Sequence, residues 1–128
     1  MKTNFSLKVV RQAWIDAYFK SDVDWLAHVE SPFFFVKRGA IVMSKKEQLS
    51  LIERNRRKVP IADTVFNETT TQTQEHTGWA TISGSASVTR DNELVNEYKF
   101  FELWLILHGR WQIASLCYDD INNNEAEK

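Results

Sequence analysis

The stretch from Tyr98 to Tyr118 constrains the fold more than any other part of this sequence. It consists of two apolar runs that flank Gly109 and Arg110. Glycine at the first central position of a two-residue loop is typical of a type II′ turn, so the stretch is predicted to form a long antiparallel hairpin. Neither face of this hairpin is polar, whereas a strand with one face in water should alternate apolar and polar residues. Both faces must therefore be covered, one by helices of the same chain and the other, we expect, by a second subunit.

The composition indicates a globular protein with a substantial core. The chain has 128 residues, of which 43% are hydrophobic, and it contains five Trp, three Tyr and eight Phe. This length predicts one domain, which we place at residues 1–121, and the polar tail at residues 122–128 is expected to be disordered. Sixteen Lys and Arg residues against seventeen Asp and Glu residues give a net charge of -1. That balance argues against a general nucleic-acid or acidic-membrane binder.

The cysteine count and the hydropathy pattern argue against a disulfide, a metal site, a signal peptide and a membrane span. A single cysteine, Cys117, excludes an intramolecular disulfide and a cysteine-cluster metal site. The histidines are far apart and no metal-ligand pair shares a helical face, so we predict no metal and no other cofactor. The N-terminus becomes polar too early for a signal peptide, and no run approaches the ~20 apolar residues of a membrane span. We expect a cytoplasmic protein without a membrane partner.

Two helices are predicted at the start of the chain. Apolar residues at helical spacing predict the first from Phe5 to about Lys20, with an apolar stripe wider than that of a surface helix. Asp22 is a typical N-cap residue, and a short second helix should follow it and stop before Pro32. The first helix is expected to lie against a sheet on more than one side.

A small hairpin and a third helix are predicted next. Residues 33–43 contain two short apolar runs around Gly39, which is typical of paired strands. Ser44 and Glu47 match a capping box, in which the hydroxyl and the carboxylate each bind a free backbone N–H at a helix start. The helix should end in the basic cluster at residues 54–58. This cluster is either a solvated helix end or a patch for an anion or a protein partner.

The second half of the chain is predicted to form a sheet. Beyond Pro60, threonine, serine and valine alternate with the period of two that is typical of strands. Strands are expected at residues 63–76, 79–90 and 94–108, and the second arm of the C-terminal hairpin makes a fourth. Gly84 suggests a bulge or a bend in the second of them. The predicted class is α+β, with a cone-shaped, curved antiparallel sheet wrapped around three N-terminal helices.

Three stretches carry a resemblance to a known family. They are residues 21–26 between the first two helices, residues 39–47 leading into the third helix, and residues 105–113 at the hairpin. In these stretches and in its order of elements the chain resembles the nuclear-transport-factor-2-like superfamily. Its cone-shaped domains include SnoaL-like polyketide cyclases, ketosteroid isomerase and many small proteins of unknown role. Because the shared motifs are structural, the resemblance implies a fold more directly than an activity.

The resemblance also implies a role for each face of the hairpin. One face of the family's sheet encloses a pocket with the helices, and the other face often forms a dimer. Laid over this pattern, the chain would have an aromatic pocket for a small hydrophobic ligand, lined by Trp14, Tyr18, Phe101, Leu103, Leu116 and Tyr118. A homodimer interface would then consist of Glu102, Trp104, Ile106, Trp111 and Ile113. The opposite assignment of faces is the alternative, and it would make Glu102 an acid inside the pocket.

Ketosteroid-isomerase chemistry is not matched at the positions where the resemblance would place it. That reaction uses a carboxylate base and an oxyanion hole made by a tyrosine and a protonated aspartic acid. The positions that the family pattern gives for these groups fall near Trp14, near Lys37 or Arg38, and near Phe101. Neither a cation nor a phenylalanine can replace a carboxyl group, so this mechanism is not expected.

Three functions fit the sequence. The first is a non-catalytic domain that binds a small ligand, or serves as a scaffold, through the aromatic pocket. The second is a lyase or isomerase that acts on a small hydrophobic carbonyl compound through His28 or Tyr18, since other enzymes of the fold use histidine and tyrosine. The third is a protein-interaction module that uses the outer sheet or the basic cluster. A hydrogen-bonded polar pair inside the cone would favour the enzyme, and a filled cone would favour the interaction module.

Overall fold

Three helices and six strands form the described part of the chain, which in this computed structural model comprises residues 5–55 and 64–121. The helices are α1 (Leu7–Lys20), α2 (Val23–Val29) and α3 (Lys45–Asn55). The strands are β1 (Glu30–Arg38), β2 (Ile41–Ser44), β3 (Thr64–His76), β4 (Trp79–Arg90), β5 (Glu93–Leu107) and β6 (Arg110–Asp120). Most of the predicted basic cluster and the predicted tail, residues 122–128, lie outside the described residues. The single domain at residues 1–121 stays a prediction.

The first two helices begin at side-chain caps that the sequence encodes. The Ser6 hydroxyl accepts the backbone N–H of Val9 at 3.3 Å, and the Asp22 carboxylate accepts that of Trp25 at 3.2 Å. Each cap satisfies a donor that the first turn of a helix leaves unpaired. Helix α1 ends at Ser21, whose φ of 57° turns the chain into α2.

The capping box predicted for the third helix is confirmed. The Ser44 hydroxyl accepts the backbone N–H of Glu47 at 3.1 Å, and the Glu47 carboxylate accepts the backbone N–H of Ser44 at 2.9 Å. Both bonds close within four residues, so they depend on local sequence and not on tertiary contacts.

The six strands form one curved sheet in the order β2-β1-β6-β5-β4-β3. Strands β1 and β6 are parallel, and all other neighbours are antiparallel. Helix α1 packs against the inner face, where its apolar residues share one buried cluster with β1, β4, β5 and β6. The α+β class, with a curved sheet beside three helices, is confirmed. No helix within the described ranges is long and apolar enough to span a membrane, and the predicted cytoplasmic location stays a prediction.

In each of three antiparallel strand pairs, β3 with β4, β4 with β5 and β5 with β6, one extra residue interrupts the pairing. Thr69 in β3, Val95 in β5 and Ala114 in β6 each lie between paired positions and have no partner of their own. A single unpaired residue of this kind is a β-bulge, which bends the strand and increases its twist. The bulge predicted at Gly84 is wrong, because Gly84 pairs in regular register with Phe100.

The C-terminal hairpin is present, but its turn lies one residue earlier than predicted. His108 and Gly109 have φ values of 54° and 78°, and Leu107 pairs with Arg110. Two successive positive φ values are those of a type I′ turn, whose twist matches that of the flanking strands. The predicted type II′ loop of Gly109 and Arg110 is therefore wrong. His108, which the sequence pattern assigned to the strand, is instead the first central residue of the turn and has left-handed backbone geometry.

The predicted outer face of the hairpin is the inner face. Trp104 and Ile113 are fully buried, and the Trp104 ring meets the edge of the Trp14 ring of α1 with 5.8 Å between centroids. The predicted homodimer interface is therefore wrong, because the residues assigned to it lie in the core of the same chain or pack against it: Glu102, Trp104, Ile106, Trp111 and Ile113. The structure has the alternative arrangement, with Glu102 inside the cone.

The bulge at Ala114 explains why the predicted pocket is only half right. One extra residue in β6 reverses the alternation of its side chains, so Leu116 and Tyr118 join the inner face opposite Glu102 and Phe100. The two pocket residues predicted on β5 lie on the outer face: Phe101, which is 45% exposed, and Leu103. The prediction that Phe101 and Leu103 line the pocket is therefore wrong.

Candidate functional site

A buried carboxyl group, that of Glu30, lies among the three helices and the sheet. Glu30 caps the end of α2, begins β1 and is 1% exposed. Trp14 Nε1 of α1 donates to its Oε2 at 3.3 Å, and Gln48 Nε2 of α3 donates to its Oε1 at 2.9 Å. Nearby, the Lys45 ammonium donates to the backbone carbonyls of Ala27 and Glu30. Neutral donors therefore hold both oxygens of this carboxyl group.

Burial raises the pKa of Glu30 to about 7 from an ordinary value of 4.5. The hydrogen bonds from Gln48 and Trp14 and the charge of Lys45 act in the opposite direction, but desolvation of the carboxylate outweighs them. Both protonation states are consequently populated near neutral pH. A carboxyl group of this kind can take up or release a proton under physiological conditions.

A second buried cluster ties α1 to strands β3 and β5. The Arg11 guanidinium donates two hydrogen bonds to Glu68, at 3.0 and 2.7 Å, and two to Glu102, both at 2.7 Å. Trp104 Nε1 donates to the same Glu102 carboxylate at 2.9 Å. Burial lowers the pKa of Arg11, but its hydrogen bonds and the charges of both carboxylates raise it overall. This guanidinium is held between two carboxylates and acts as a structural cross-link.

Five residues at the exposed end of the inner face form what we call the mouth of the cone: Tyr18, Arg38, Tyr98, Tyr118 and Asp120. The rings of Tyr98 and Tyr118 lie 5.2 Å apart between centroids. The Arg38 guanidinium lies 5.9 Å from the Tyr118 ring, and its Nη2 is 2.8 Å from Oδ2 of Asp120. Tyr18, at the end of α1, is 48% exposed. The mouth thus combines aromatic rings, phenol groups and one ion pair.

Burial raises the pKa of the phenols of Tyr98, Tyr118 and Tyr18. The nearby Arg38 charge lowers the pKa of Tyr18 and Tyr118, but desolvation is the larger effect for both. All three phenols stay protonated at neutral pH. They can therefore donate hydrogen bonds to a bound molecule as well as accept them.

The structure brings some of the sequence-predicted site residues together and separates others. Trp14 lies on the inner side of the cone, and Tyr18 and Tyr118 lie at its mouth. That they line a ligand pocket stays a prediction. His28, one of the two catalytic candidates, is exposed and packs beside Trp25, with 5.3 Å between ring centroids. Within residues 5–55 and 64–121, no hydrogen bond joins it to Tyr18. The two predicted catalytic candidates do not form a pair.

Sequence reasoning missed Glu30 and Gln48. A signal for the first was present, since Glu30 stands between Val29 and the apolar run of β1, where a solvated acid is not expected. A signal for Gln48 was its spacing of four residues from Ile52, which places both on one face of α3. Neither signal shows that the two side chains meet.

An open groove of about 640 Å³ lies elsewhere, on the side of α3 and β2, and is lined by Met43, Lys46, Glu47, Ser50, Leu51 and Arg54. It includes none of the buried polar groups of the cone, so we place the candidate site at the mouth. No group of three or more His, Cys, Asp or Glu side chains that could hold a metal ion occurs in the described ranges.

No protein-family model matches the sequence, and no curated protein sequence matches it either. Solved structures do match. An NTF2-like protein from Cytophaga hutchinsonii has a TM-score of 0.75 and 10% identity, over 90% of this chain and 95% of that one. A ketosteroid isomerase-like protein from Erwinia carotovora atroseptica has a TM-score of 0.66 and 16% identity, over 90% and 93%.

An uncharacterised protein with a cystatin-like fold from Caulobacter vibrioides has a TM-score of 0.71 and 12% identity, over 94% of this chain and 91% of that one. At such identities the likeness shows the fold alone. The resemblance found in the sequence is confirmed at that level. This chain has the α+β cone fold of NTF2-like and ketosteroid isomerase-like proteins.

Proposed function

We propose that the protein binds a small, apolar ligand at the mouth of the cone. The observation that carries this proposal is the gathering of three protonated phenols, those of Tyr18, Tyr98 and Tyr118, at the exposed end of the inner face. Deeper in the cone, Trp14 and Trp104 occupy the space between α1 and the sheet. A ligand would therefore lie on the aromatic rings of the mouth and bond to their hydroxyls.

The fold supports this proposal in a general way. A ketosteroid isomerase-like protein shares it, and we extend that likeness to a cone that accepts a small molecule in this chain. The exposed fraction of Tyr18, 48%, leaves the site open to solvent. Ligand entry would require no unfolding of the core.

A nuclear magnetic resonance titration tests the proposal, with 2-naphthol as a neutral aromatic probe. We expect backbone amide shifts to change at Tyr18, Tyr98 and Tyr118, and the change to require their hydroxyls. The double variant Tyr98→Phe/Tyr118→Phe keeps both rings and should bind about thirtyfold more weakly, since each of the two lost hydrogen bonds contributes about 1 kcal/mol. Phe101→Leu, on the outer face of the same strand as Tyr98, is the control and should bind as the wild type does. Shift changes confined to the outer face would refute the proposal.

A second candidate function is proton transfer on a small carbonyl compound, and one observation favours it. The pKa of Glu30, about 7, suits a group that removes a proton beside a carbonyl and returns it. Its carboxyl is 1% exposed, so substrate would have to displace side chains at the mouth to reach it. The test is deuterium exchange at the acidic carbon of 2-tetralone in D₂O. Exchange above buffer that Glu30→Gln abolishes would support an enzyme, and exchange at the buffer rate would refute it.

We also propose a homodimer, formed through the outer face of the sheet instead of the residues first assigned to it. Trp79 and Phe101 are 42% and 45% exposed there, and Leu103 and Leu105 lie beside them on the same face. Apolar side chains grouped on one exposed face are typical of protein contacts. A twofold axis would pair each patch with its own copy.

A further inference from the structure

The mouth of the cone already holds a cation, the guanidinium of Arg38. It lies 5.9 Å from the Tyr118 ring and 2.8 Å from Asp120 Oδ2. A positive group over an aromatic face, with a carboxylate beside it, is the arrangement by which proteins bind ammonium and guanidinium groups. The Arg38 side chain is 53% exposed. An ion pair this exposed is weakly held, so another cation can displace the guanidinium.

Asp120 has more hydrogen-bonding capacity than Arg38 uses. Its Oδ2 accepts from Arg38, whereas its Oδ1 is buried and accepts no hydrogen bond from the described residues. A buried carboxylate oxygen without a donor is unfavourable, so a second donor at this position would be stabilising. Tyr98 lies directly opposite Asp120 in the sheet, and its ring contacts Tyr118. Aromatic surface therefore borders the carboxylate that lacks a donor.

The charges on the inner side of the cone favour a cation over an anion. Arg11 is occupied by Glu68 and Glu102, and the Lys45 ammonium by two backbone carbonyls. The carboxylates there outnumber the cations by one when Glu30 is ionised: Glu30, Glu68, Glu102 and Asp120 against Arg11, Arg38 and Lys45. An anionic ligand would meet this excess of negative charge, and a cationic ligand would reduce it.

We propose that the mouth binds an organic cation, an ammonium group with an apolar substituent, which replaces the Arg38 guanidinium beside Asp120 and Tyr118. This inference rests on the proposed ligand-binding function and specifies its ligand class. The ammonium group lies between the Asp120 carboxylate and the Tyr118 ring, and the apolar substituent lies on the rings of Tyr98 and Tyr18. Arg38 competes with the ligand and turns toward solvent when the ligand binds.

Isothermal titration calorimetry tests the proposal, with benzylammonium, whose N–H groups can donate to Asp120, as the cationic probe and phenylacetate as the anionic comparison at equal ionic strength. The wild type should bind the cation and not the anion. Arg38→Gln removes the competitor and should tighten cation binding about tenfold, whereas Asp120→Asn should weaken it about tenfold. Tyr118→Phe keeps the ring and should bind the cation as the wild type does. Tyr118→Leu removes the ring and should bind the cation more weakly than the wild type does.

Two controls separate the proposed contact from other effects. Lys99→Gln removes one positive charge from the exposed outer side of β5 and should leave cation binding unchanged. Tighter binding in both Lys99→Gln and Arg38→Gln would show a general charge effect and overturn the proposal. Weaker cation binding in Arg38→Gln, or binding of phenylacetate that this variant abolishes, would assign Arg38 to an anion site and overturn it too.

The outcome with 2-naphthol distinguishes this inference from the function on which it rests. If the neutral probe binds at the mouth and benzylammonium does not, the ligand-binding function stands and the cation proposal fails. If neither probe binds, both fail. Binding of the cation with the expected response to Arg38→Gln and Asp120→Asn supports both.

Discussion

The indole N–H of Trp14 donates to the carboxyl of Glu30 across 3.3 Å, and this bond joins the middle of α1 to the junction of α2 and β1. The other side of the same indole meets Trp104 of β5. Trp14 is thus positioned by a polar contact at one point and an aromatic contact at another. Any change in the protonation of Glu30 acts directly on the packing of α1 against the sheet.

The protonation of Glu30 should make stability depend on pH. Its pKa in the folded chain, about 7, lies above the ordinary 4.5, so the folded state holds this proton more tightly than the unfolded state. The resulting stabilisation is fully present below about pH 4.5 and is lost as the pH rises through about 7. Glu30→Gln lacks this dependence, so its stability relative to wild type should rise by about 3 kcal/mol between about pH 4 and about pH 8.

Urea denaturation of wild type and Glu30→Gln at several pH values measures this difference. Glu93→Gln, which changes an exposed carboxyl group at the start of β5, is the matched control. Its stability should follow the wild-type profile. A Glu30→Gln difference that stays constant from acid to neutral pH would show that the carboxyl is not desolvated in the folded state.

Removing Arg11 should be strongly destabilising. Glu102 is 2% exposed, and without the guanidinium its charge would be buried without a cation. Arg11→Met should lower the free energy of unfolding by about 3–5 kcal/mol. Adding Glu102→Gln should restore part of the loss, because a neutral amide costs less to bury. Lys8→Met, an exposed change on the same helix, is the control, and a loss equal to that of the control would contradict the structural role.

Ser44→Ala should destabilise α3. The hydroxyl accepts the backbone N–H of Glu47, and the loss of such a cap costs about 1 kcal/mol. Ser50→Ala, an exposed change in the interior of the same helix, should be neutral or slightly stabilising, because alanine has the higher helix propensity. Chemical denaturation monitored by circular dichroism compares the two. Equal effects would mean that α3 does not depend on this cap.

The turn between β5 and β6 should be improved by asparagine. His108 has a φ of 54°, a conformation that asparagine adopts more readily than most residues and β-branched residues resist. His108→Asn should raise the free energy of unfolding by about 0.5 kcal/mol, and His108→Val should lower it by about 1 kcal/mol or more. Thermal denaturation orders the three proteins. A valine variant as stable as wild type would argue for a turn at Gly109 and Arg110.

The proposed homodimer predicts different effects for two hairpin residues. Phe101→Glu places a charge on the exposed outer face and should give a folded monomer in analytical ultracentrifugation at micromolar concentration. Trp104→Glu should prevent folding, because Trp104 has no exposed surface. Lys8→Glu, an exposed change on α1 at the other side of the sheet, is the control and should stay dimeric. A monomeric wild type would refute the proposal.

Local interactions explain what could be predicted from the residues alone. The capping box of α3 and the N-cap of α2 each close within three residues, so the chain encodes them without help from distant parts. The strand boundaries of β3 and β4 follow from alternation and from turn residues for the same reason. The order of these elements was enough to indicate the cone fold.

The faces of β5 and β6 and the environment of Glu30 were decided only in the tertiary structure. Both faces of the hairpin are apolar, so alternation could not show which one meets α1. In addition, the bulge at Ala114 places Leu116 and Tyr118 on the face opposite to the one that an unbroken register would give them. The sequence around Glu30 could suggest that it is buried, but not that Trp14 and Gln48, from two different helices, bind its carboxyl group. Desolvation depends on every group that surrounds the carboxyl, and those groups meet only when the helices pack on the sheet.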